Sequence, residues 1–566
     1  MRYGEKRRLG DILVDSGKIS YKDLNEALEL QSETGKRLGD IFIEKGLLAD
    51  IDVLNAIKIQ MKLPIAELNR MEISDDDVRI IPENLARKYG VVSVGFNEDE
   101  KVKKLIVAMN DPFNIIAIDD IKIATGYNID ILLATKESIQ SALDKHYSSQ
   151  YVQMAADELS KSQKDDEGEA EDEDEQDDIK NAPVVKLVDS IISNAVKARA
   201  SDIHIEPFEN FIRIRTRVDG ELREALRVDK ANLGSLTTRI KILANMNIAE
   251  KRVPQDGRII TQVDGKQYDL RISSLPTVYG EKIVIRILSK QGFLIGMDKL
   301  GLFPAEMEKI QRILAIPYGI ILATGPTGSG KSTTLYTLLT TLNKGDVNIV
   351  TVEDPVEYTM EGINQVNVNN KAGLTFASGL RSILRQDPDI IMIGEMRDNE
   401  TAEIAVRAAI TGHKVLSTVH TNDAPSTIVR LVDMGLEPYL VSTSVSGIIA
   451  QRLVRRVCPY CKKPYLASVY EKRLLGLSEE KDVTLYKGEG CAYCSNTGYA
   501  GRLGIYEIME ITREIREYIA SGKNTDELRD LCIKSGMNDL RMYCTEHVLR
   551  GNTTVEELVK VAYIKD

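Results

Sequence analysis

The sequence Ile320-Ile-Leu-Ala-Thr-Gly-Pro-Thr-Gly-Ser-Gly-Lys-Ser-Thr333 indicates an apolar strand, a glycine-rich loop and the start of a helix. The backbone N–H groups of such a loop form a concave site for phosphate oxygens, and the helix dipole adds positive potential. Lys331 is expected to reach the β- and γ-phosphates of ATP, and the Ser332 hydroxyl to ligate Mg²⁺. A chance glycine-rich turn is the alternative, but the strand–loop–helix context favours a phosphate site. The predicted residues are Gly325, Pro326, Thr327, Gly328, Ser329, Gly330, Lys331, Ser332 and Thr333.

Acidic side chains end two of the apolar strands that follow this loop. Glu353 and Glu357 close one strand, Glu395 closes a second, and His420 follows a third, where it could bond the γ-phosphate. Each alone could be a surface carboxylate or a buried structural histidine, but the carboxyl ends of parallel strands meet at one sheet edge. ATP hydrolysis needs a group there to orient and deprotonate water. Gly394-Glu395 stands where a generic phosphate-loop protein has an aspartate, so the Mg²⁺ ligand among these acids stays open.

The chain has 566 residues, which predicts roughly three or four domains. Its 43% hydrophobic and 28% charged residues fit a globular protein and exclude a collagen-like or wholly disordered chain. The sequence has no apolar run of about 18 residues that would span a membrane, and its N-terminus lacks the apolar core of a secretory signal. We therefore expect a cytoplasmic protein.

A strongly acidic segment divides the chain. Residues 165–178 carry 11 acidic groups and no basic one, so the rest of the chain is nearly neutral despite a net charge of −12. An anionic ligand is therefore not excluded. The wider segment 148–182 is too polar to bury a core, and it is predicted to be a flexible, self-repelling linker. An acidic interaction tail is the alternative.

The sequence patterns on the two sides of the linker differ. Before it, a helical repeat precedes a small α/β unit. After it, residues 184–288 alternate like the strands of a mixed α/β domain, with Asp-Gly hairpin turns at 219–220 and 264–265. Apolar strands then alternate with helices, which predicts a parallel sheet. The C-terminal residues are expected to be helical, and Thr554-x-x-Glu557 suggests a capping box at the last helix.

Four of the six cysteines form two Cys-x-x-Cys knuckles with 29 residues between them. Four thiolates satisfy tetrahedral zinc and leave no open position for water, so a structural role is predicted. Reduced free thiols and an iron–sulfur cluster are the alternatives. The predicted ligands are Cys458, Cys461, Cys491 and Cys494. The other two cysteines, Cys532 and Cys544, are predicted to be buried in helices.

These motifs resemble those of the secretion ATPases that drive type II secretion and type IV pilus assembly, over nearly all of Val184–Asp566. Gly325–Thr333 resembles their Walker A box, Thr351–Glu357 their Asp box, Ile390–Glu395 their Walker B box and Gly412–His420 their His box. In this family the pilus assembly and secretion motors carry a tetracysteine site, whereas the retraction motors do not.

The resemblance implies roles for single residues. Glu395 would be the catalytic glutamate, while Glu353 and Glu357 would support water and magnesium. Arg271 and Arg286 would be arginine fingers, which reach phosphate from outside the catalytic domain. For these arginines a solvated strand face is the alternative. The stretches that resemble the family's preceding domain are residues 200–207 and 269–288.

The fold class that the resemblance implies is a multidomain α/β protein with a RecA-like ATPase core. The predicted domains are an N-terminal module at 1–147, the linker at 148–182, a PAS-like domain at 183–290 and the ATPase domain at 291–566 with a zinc knuckle insertion at 458–494.

The N-terminal module contains an internal repeat with an offset of 29 residues. The copies, Arg8–Gln31 and Arg37–Gln60, resemble the paired motifs of a cyclic-di-GMP-binding domain found in several of these motors. Arginines can pair with phosphates or stack on guanine, and glutamine amides can bond guanine edges. A tandem helical adaptor with exposed polar residues is the alternative. The predicted cyclic-di-GMP residues are Arg8, Leu9, Gly10, Gln31, Arg37, Leu38, Gly39 and Gln60.

The resemblance implies a Mg²⁺-dependent ATP hydrolase that works as a homohexamer at the inner membrane. It would drive type IV pilus assembly through an inner-membrane platform protein, under regulation by cyclic-di-GMP. A type II secretion ATPase shares every catalytic motif and is the alternative within the family. A non-hydrolysing nucleotide sensor is the alternative from another class, although the intact acids argue against it. A DNA-handling motor is disfavoured and no nucleic acid partner is expected, because no basic, aromatic-rich stripe is present.

Overall fold

A computed structural model describes residues 8–71, 73–97, 103–143, 146–147, 173–289, 295–491, 493–522 and 525–562. Of residues 33, 173–182 and 289 it gives the backbone alone. Within these ranges, no helix combines the length and the apolar composition needed to cross a bilayer.

The N-terminal repeat folds into two copies of a short helix followed by a longer one. Both short helices have seven residues. Each helix of the second copy begins 29 residues after its counterpart in the first copy, as the sequence repeat predicts. A Cβ on Gly10 would lie 2.6 Å from Leu24, and one on Gly39 would lie 2.8 Å from Val53, so glycine permits close helix packing at equivalent positions. The helices are α1 (Leu9–Asp15), α2 (Tyr21–Thr34), α3 (Leu38–Glu44) and α4 (Asp50–Met61).

A small α/β unit follows the repeat, as predicted. Its three strands have the order β1-β2-β3, with β1 antiparallel and β3 parallel to β2. An isolated bridge between Ile65 and Leu133 joins the chain that leaves the repeat to this sheet. The elements are α5 (Asp75–Val78), α6 (Glu83–Tyr89), β1 (Val91–Asn97), β2 (Lys104–Met109), α7 (Ile115–Thr125) and β3 (Asn128–Leu133).

The predicted acidic linker is only partly described. Residues 148–172 lie outside the described residues, whereas helix α8 (Glu173–Lys197) begins within the segment predicted as linker. The C-terminal part of the predicted linker is therefore helical in the structure. Apolar residues from Val184 onward pack this helix on the next sheet and so favour its formation.

The second domain is a six-stranded antiparallel sheet of order β6-β5-β4-β9-β8-β7. Helices α8 and α9 share one core with the apolar side chains of one sheet face. Because side chains alternate along a strand, the charged residues lie on the opposite face. The predicted hairpin turns at 219–220 and 264–265 are confirmed, with positive φ at all four residues. The elements are β4 (Asp202–Pro207), β5 (Phe211–Val218), β6 (Glu221–Asp229), α9 (Leu233–Leu243), β7 (Gln255–Val263), β8 (Lys266–Thr277) and β9 (Gly280–Ser289).

The C-terminal domain contains the predicted parallel sheet, whose order is β12-β11-β13-β14-β10-β15-β18. All neighbours are parallel except β15 and β18. Successive residues of β10 point into two different cores, so helices cover both sheet faces. The strands are β10 (Gly319–Thr324), β11 (Ile349–Glu353), β12 (Asn364–Asn367), β13 (Ile390–Ile393), β14 (Lys414–Val419), β15 (Val445–Val457), β16 (Lys462–Leu466), β17 (Thr484–Gly488) and β18 (Tyr499–Glu510).

The helices of this domain include the predicted C-terminal group, which contains Cys532 and Cys544, both buried as predicted. The expected capping box is absent from the described contacts of the last helix, because Thr554 bonds Tyr499 and Glu557 binds Arg455 instead. The helices are α10 (Pro304–Ala315), α11 (Lys331–Leu342), α12 (Phe376–Ile383), α13 (Asn399–Ile410), α14 (Ala424–Asp433), α15 (Pro438–Ser444), α16 (Val469–Leu474), α17 (Arg513–Ala520), α18 (Thr525–Lys534), α19 (Leu540–Leu549) and α20 (Val555–Ala562).

Candidate functional site

The glycine-rich loop connects β10 to α11, as the sequence predicts. Gly325, Gly328 and Gly330 all have positive φ. A Cβ at Gly325 would lie 2.4 Å from a backbone oxygen, so only glycine fits this turn. The Ser329 Oγ atom is buried and has no hydrogen-bond partner among the residues that the structure describes. An unpartnered buried donor inside a loop of this shape fits an anion such as phosphate.

The side chain of Gln451, on β15, holds the glycine-rich loop in place through two hydrogen bonds. Its Nε2 atom donates to Ser329 O at 2.7 Å, and its Oε1 atom accepts from Thr334 Oγ1 at 2.7 Å. Gln451 is almost fully buried, so both bonds are shielded from water. No local sequence pattern predicts this residue, since β15 lies about 120 residues after β10 and carries no recognisable motif.

Lys331 lies at the first position of α11 and turns back over the loop. Its Nζ atom donates to Gly325 O at 2.7 Å and to Pro326 O at 3.1 Å. Burial lowers the pKa of Lys331 to about 8, although nearby Glu395 opposes the shift. The ammonium therefore stays charged at neutral pH. Phosphate oxygens can replace the two carbonyl oxygens as its hydrogen-bond acceptors.

Glu395, which follows β13, is brought together with His420, which follows β14. The Glu395 Oε2 atom lies 3.5 Å from His420 Nε2, and Oε1 lies 2.5 Å from an Arg397 guanidinium nitrogen. Burial and the charge of Lys331 lower the pKa of His420, so its imidazole is neutral at pH 7. Arg397 was not predicted from the sequence, although it stands only two residues after Glu395. Lys331, Glu395 and His420 thus lie at one edge of the sheet.

Glu353, at the end of β11, is buried in a hydrogen-bond network. Its Oε2 atom accepts from the Tyr336 hydroxyl, while Oε1 accepts from Thr351 Oγ1 at 2.6 Å and from Gln365 Nε2 at 3.2 Å. Burial, together with the Glu353 charge, raises the pKa of Tyr336. Both carboxylate oxygens are occupied by protein donors in this arrangement. Oε1 already accepts two bonds, so contact of that oxygen with water or magnesium would require one of them to open, whereas Oε2 keeps a second lone pair.

The two predicted arginine fingers lie side by side on the charged face of the second domain. Arg271 and Arg286 are direct cross-strand partners on β8 and β9. Arg271 forms a bidentate ion pair with Glu357, in which its two terminal nitrogens lie 2.7 Å and 3.3 Å from the carboxylate oxygens. Arg286 donates from Nε to Asp202 Oδ1 at 3.2 Å. Like charges directly opposite each other repel unless carboxylates or a bound anion offset them.

A cleft of about 960 Å³ separates this arginine face from the segment that follows β11. Among the described residues that line it are Arg258, Arg271, Arg286 and Glu357, but none from the loop at 325–333. The structure thus brings Arg271 to Glu357 and Arg286 to the same cleft, but it brings neither arginine to the loop at 325–333. Arg258, the cross-strand partner of Arg271 on its other side, was not predicted, and its guanidinium is paired with Asp269.

The four knuckle cysteines form one buried cluster at the ends of β15 and β18. Their closest Sγ–Sγ distances are 3.7–3.8 Å, far beyond disulfide length. Ligands about 2.3 Å from a tetrahedral zinc lie about 3.8 Å apart, so these positions fit one such ion. Burial raises the pKa of Cys458 and of Cys461, whereas at Cys494 amide donors from Cys491 and Gly498 outweigh burial and lower the pKa to about 7, so Cys494 ionises more readily than those two.

The predicted cyclic-di-GMP residues occupy equivalent positions in the two repeat copies. Arg8 and Arg37 both precede a short helix and are exposed, and Arg37 pairs with Asp111 of the adjoining unit. Gln31 Nε2 donates to Lys36 O at 3.1 Å, and Gln60 is half-buried near the end of α4. Leu9 and Leu38 are half-buried, while the two glycines are buried in a packing role that the sequence did not predict.

Comparison with known families and relatives gives a consistent result. Residues 176–560 match the family model described as type II/IV secretion system protein. A model of the MshEN domain matches residues 61–152 and so begins after both repeat copies. The type IV pilus assembly ATPase PilB of Myxococcus xanthus (strain DK1622) is 43% identical over 563 residues, covering 98% of each chain.

A second relative is named for type II secretion. The type II secretion system protein E of Pseudomonas aeruginosa is 43% identical over 491 residues, covering 85% of this chain and 96% of its own. Among solved structures, the ATPase DotB of Legionella pneumophila superposes with a TM-score of 0.51 at 21% identity, over 66% of this chain and 95% of DotB. This last likeness supports the α/β fold with a parallel-sheet core.

Proposed function

This chain belongs to the type II/IV secretion system protein family, and from that premise we propose that it is an ATP-hydrolysing motor for type IV pilus assembly. The observation that carries the proposal is the placement of Lys331, Glu395 and His420 at one edge of a parallel sheet. Its assignment to pilus assembly rests on the relative named for that process, which matches 98% of both chains.

In the proposed mechanism, the loop amides and Lys331 hold the β- and γ-phosphates of ATP. Ser332, in the first turn of α11, would hold Mg²⁺, which offsets phosphate charge when bound. Glu395 accepts a proton from the attacking water, and neutral His420 beside it donates a hydrogen bond toward the γ-phosphate. Gln451 keeps the loop in position while these bonds form.

Arg271 and Arg286 complete the site in this proposal when the second domain closes on the ATPase domain. Arg271 is already held by Glu357, directly beside the ATPase sheet. Closure would exchange the carboxylate partners of the arginines for phosphate oxygens, where guanidinium groups offset developing negative charge. The family resemblance further supports a homohexamer that acts at the cytoplasmic face of the inner membrane and moves a platform protein there.

The cysteine cluster is proposed to bind structural zinc, because four buried sulfurs at tetrahedral spacing leave no position for water. The N-terminal repeat is proposed to bind cyclic-di-GMP as a regulator. The equivalent positions of Arg8 and Arg37 and the adjoining MshEN match support this assignment.

A type II secretion ATPase is the second candidate, because the Pseudomonas relative is equally identical over its matched length. A strain that lacks this gene tests the choice. We expect loss of surface pili and normal levels of secreted enzymes, with pili restored by the wild-type gene but not by a Glu395→Gln copy. Normal piliation together with lost enzyme secretion would favour the second candidate.

Cyclic-di-GMP binding is tested by calorimetry on the full chain. We expect saturable binding by the wild type and at least tenfold weaker binding by Arg37→Ala, because a charge-assisted bond to phosphate contributes about 1.5–3 kcal/mol. Arg87→Ala, which removes an arginine of the same module paired with Glu83, serves as the control and should bind normally. Absence of saturable binding of cyclic-di-GMP by the wild type would contradict the regulatory proposal.

A further inference from the structure

The zinc knuckle forms a direct contact with the N-terminal module. The Tyr460 hydroxyl, between the first two cysteines, donates to Glu137 Oε2 at 2.6 Å. The backbone oxygen of the same residue accepts from Arg70 Nη2 at 2.8 Å. The Tyr460 ring packs on the ring of Tyr493 from the second knuckle, with centroids 4.5 Å apart. One knuckle residue therefore meets two separate segments of the N-terminal module.

On the ATPase side, this contact continues into the nucleotide loop through one strand. Cys458 directly follows β15, and the same strand carries Gln451, whose side chain holds Ser329. Tyr499, which begins β18 shortly after Cys494, pairs with Val457 near the end of β15. Both knuckles are thus fixed to the ends of one antiparallel ribbon, and displacement of the knuckle would act on a rigid element.

On the N-terminal side, the contact continues into the second repeat copy. Lys136, next to Glu137, forms an ion pair with Asp40 of α3 at 3.1 Å, and its amide donates to Asp50 of α4 at 3.0 Å. Asp40 lies three residues after Arg37. A change in the repeat can therefore reach Glu137 through neighbouring polar contacts.

We infer that the outer face of the zinc knuckle, centred on Tyr460, is the docking surface that couples the N-terminal module to the nucleotide site. Bound zinc would fix the backbone between Cys458 and Cys461 and so set the position of Tyr460. The inference rests on the proposed function for its nucleotide site, while the docking itself needs no cyclic-di-GMP. Occupancy of the nucleotide loop and order at the docking surface should then influence each other.

Hydrogen–deuterium exchange on the full chain tests the docking. The exchange of amides 66–71 and 136–143 is measured with and without a non-hydrolysable ATP analogue. In the wild type we expect the analogue to change exchange at both segments. Tyr460→Phe and Glu137→Gln should speed exchange there about tenfold, because each removes a bond to a charged group, and should abolish the response to the analogue. Removal of zinc by a chelator should have the same effect on these segments.

Two matched controls keep the result specific. Tyr470→Phe and Glu480→Gln change exposed side chains elsewhere in the 458–494 insertion, and both should behave as the wild type. ATPase rates without cyclic-di-GMP should stay within about twofold of the wild type in these two control variants, since neither lies at the docking surface or at the nucleotide loop. Unchanged exchange in Tyr460→Phe and Glu137→Gln, or a preserved response to the analogue, overturns the inference. If the wild type instead fails to bind cyclic-di-GMP, only the proposal of cyclic-di-GMP as the regulator is contradicted. The docking inference is still tested, because the exchange measurements do not use cyclic-di-GMP.

Discussion

Replacement of Glu395 by glutamine is expected to lower kcat for ATP hydrolysis by about 10²–10⁴-fold, the usual contribution of a positioned general base. The carboxamide keeps the size and the planar shape of the side chain, so the fold and the phosphate loop should be preserved. It cannot take a proton from water, however, and it weakens the interaction with Arg397 and His420. ATP affinity should therefore change much less than kcat. Phosphate release under steady-state conditions and fluorescent ATP titration measure the two quantities separately.

Glu403→Gln is the matched control for this experiment. Glu403 is an exposed carboxylate on the neighbouring helix α13, paired only at 3.8 Å with Arg407. Its replacement should leave both kcat and ATP affinity unchanged, because an exposed pair of this kind contributes little. A Glu395→Gln protein that retains more than about a tenth of the wild-type rate would show that another group activates the water.

Local motifs of this chain predicted the parts of the site whose geometry follows from short stretches. The glycine-rich loop forms the same turn wherever a strand enters a helix through it, and residues that end parallel strands must meet at one edge. The paired knuckles predicted the sulfur cluster for a similar reason, since each holds its two cysteines close together. The 29-residue offset likewise predicted where the equivalent helices begin, although the longer helices differ in length, with 14 residues in α2 and 12 in α4.

The residues that the sequence analysis missed depend on contacts between distant segments. Gln451 meets the phosphate loop only because β15 lies beside β10 in the sheet. The capping box at Thr554 failed for the same reason, since Tyr499 and Arg455 compete for its two side chains. Neither competition is visible in a single stretch of sequence. The placement of Arg271 against Glu357 also depends on how two domains meet, which no local pattern specifies.

Replacement of Arg271 by glutamine is expected to lower kcat by about 10³-fold or more, the range found for arginine fingers in phosphate transfer. In the structure Arg271 lies at the boundary of the two domains, as the proposed role requires, but its guanidinium binds the Glu357 carboxylate instead of a phosphate. Steady-state ATPase assays of the full chain measure the effect. Arg227→Gln removes an exposed arginine from the edge strand of the same sheet, where it pairs with Glu224, and should leave kcat unchanged.

The structural alternative is that Arg271 serves only to hold Glu357 in place, and a double-mutant cycle separates the two roles. If the ion pair is the whole contribution, Arg271→Gln and Glu357→Gln should reduce kcat equally, and the double variant should lose no more than either single one. If Arg271 moves to the phosphates on closure, its loss must exceed that of Glu357, because guanidinium charge is then missing where negative charge develops. Equal single losses with no further loss in the double variant would therefore rule out the finger role for Arg271.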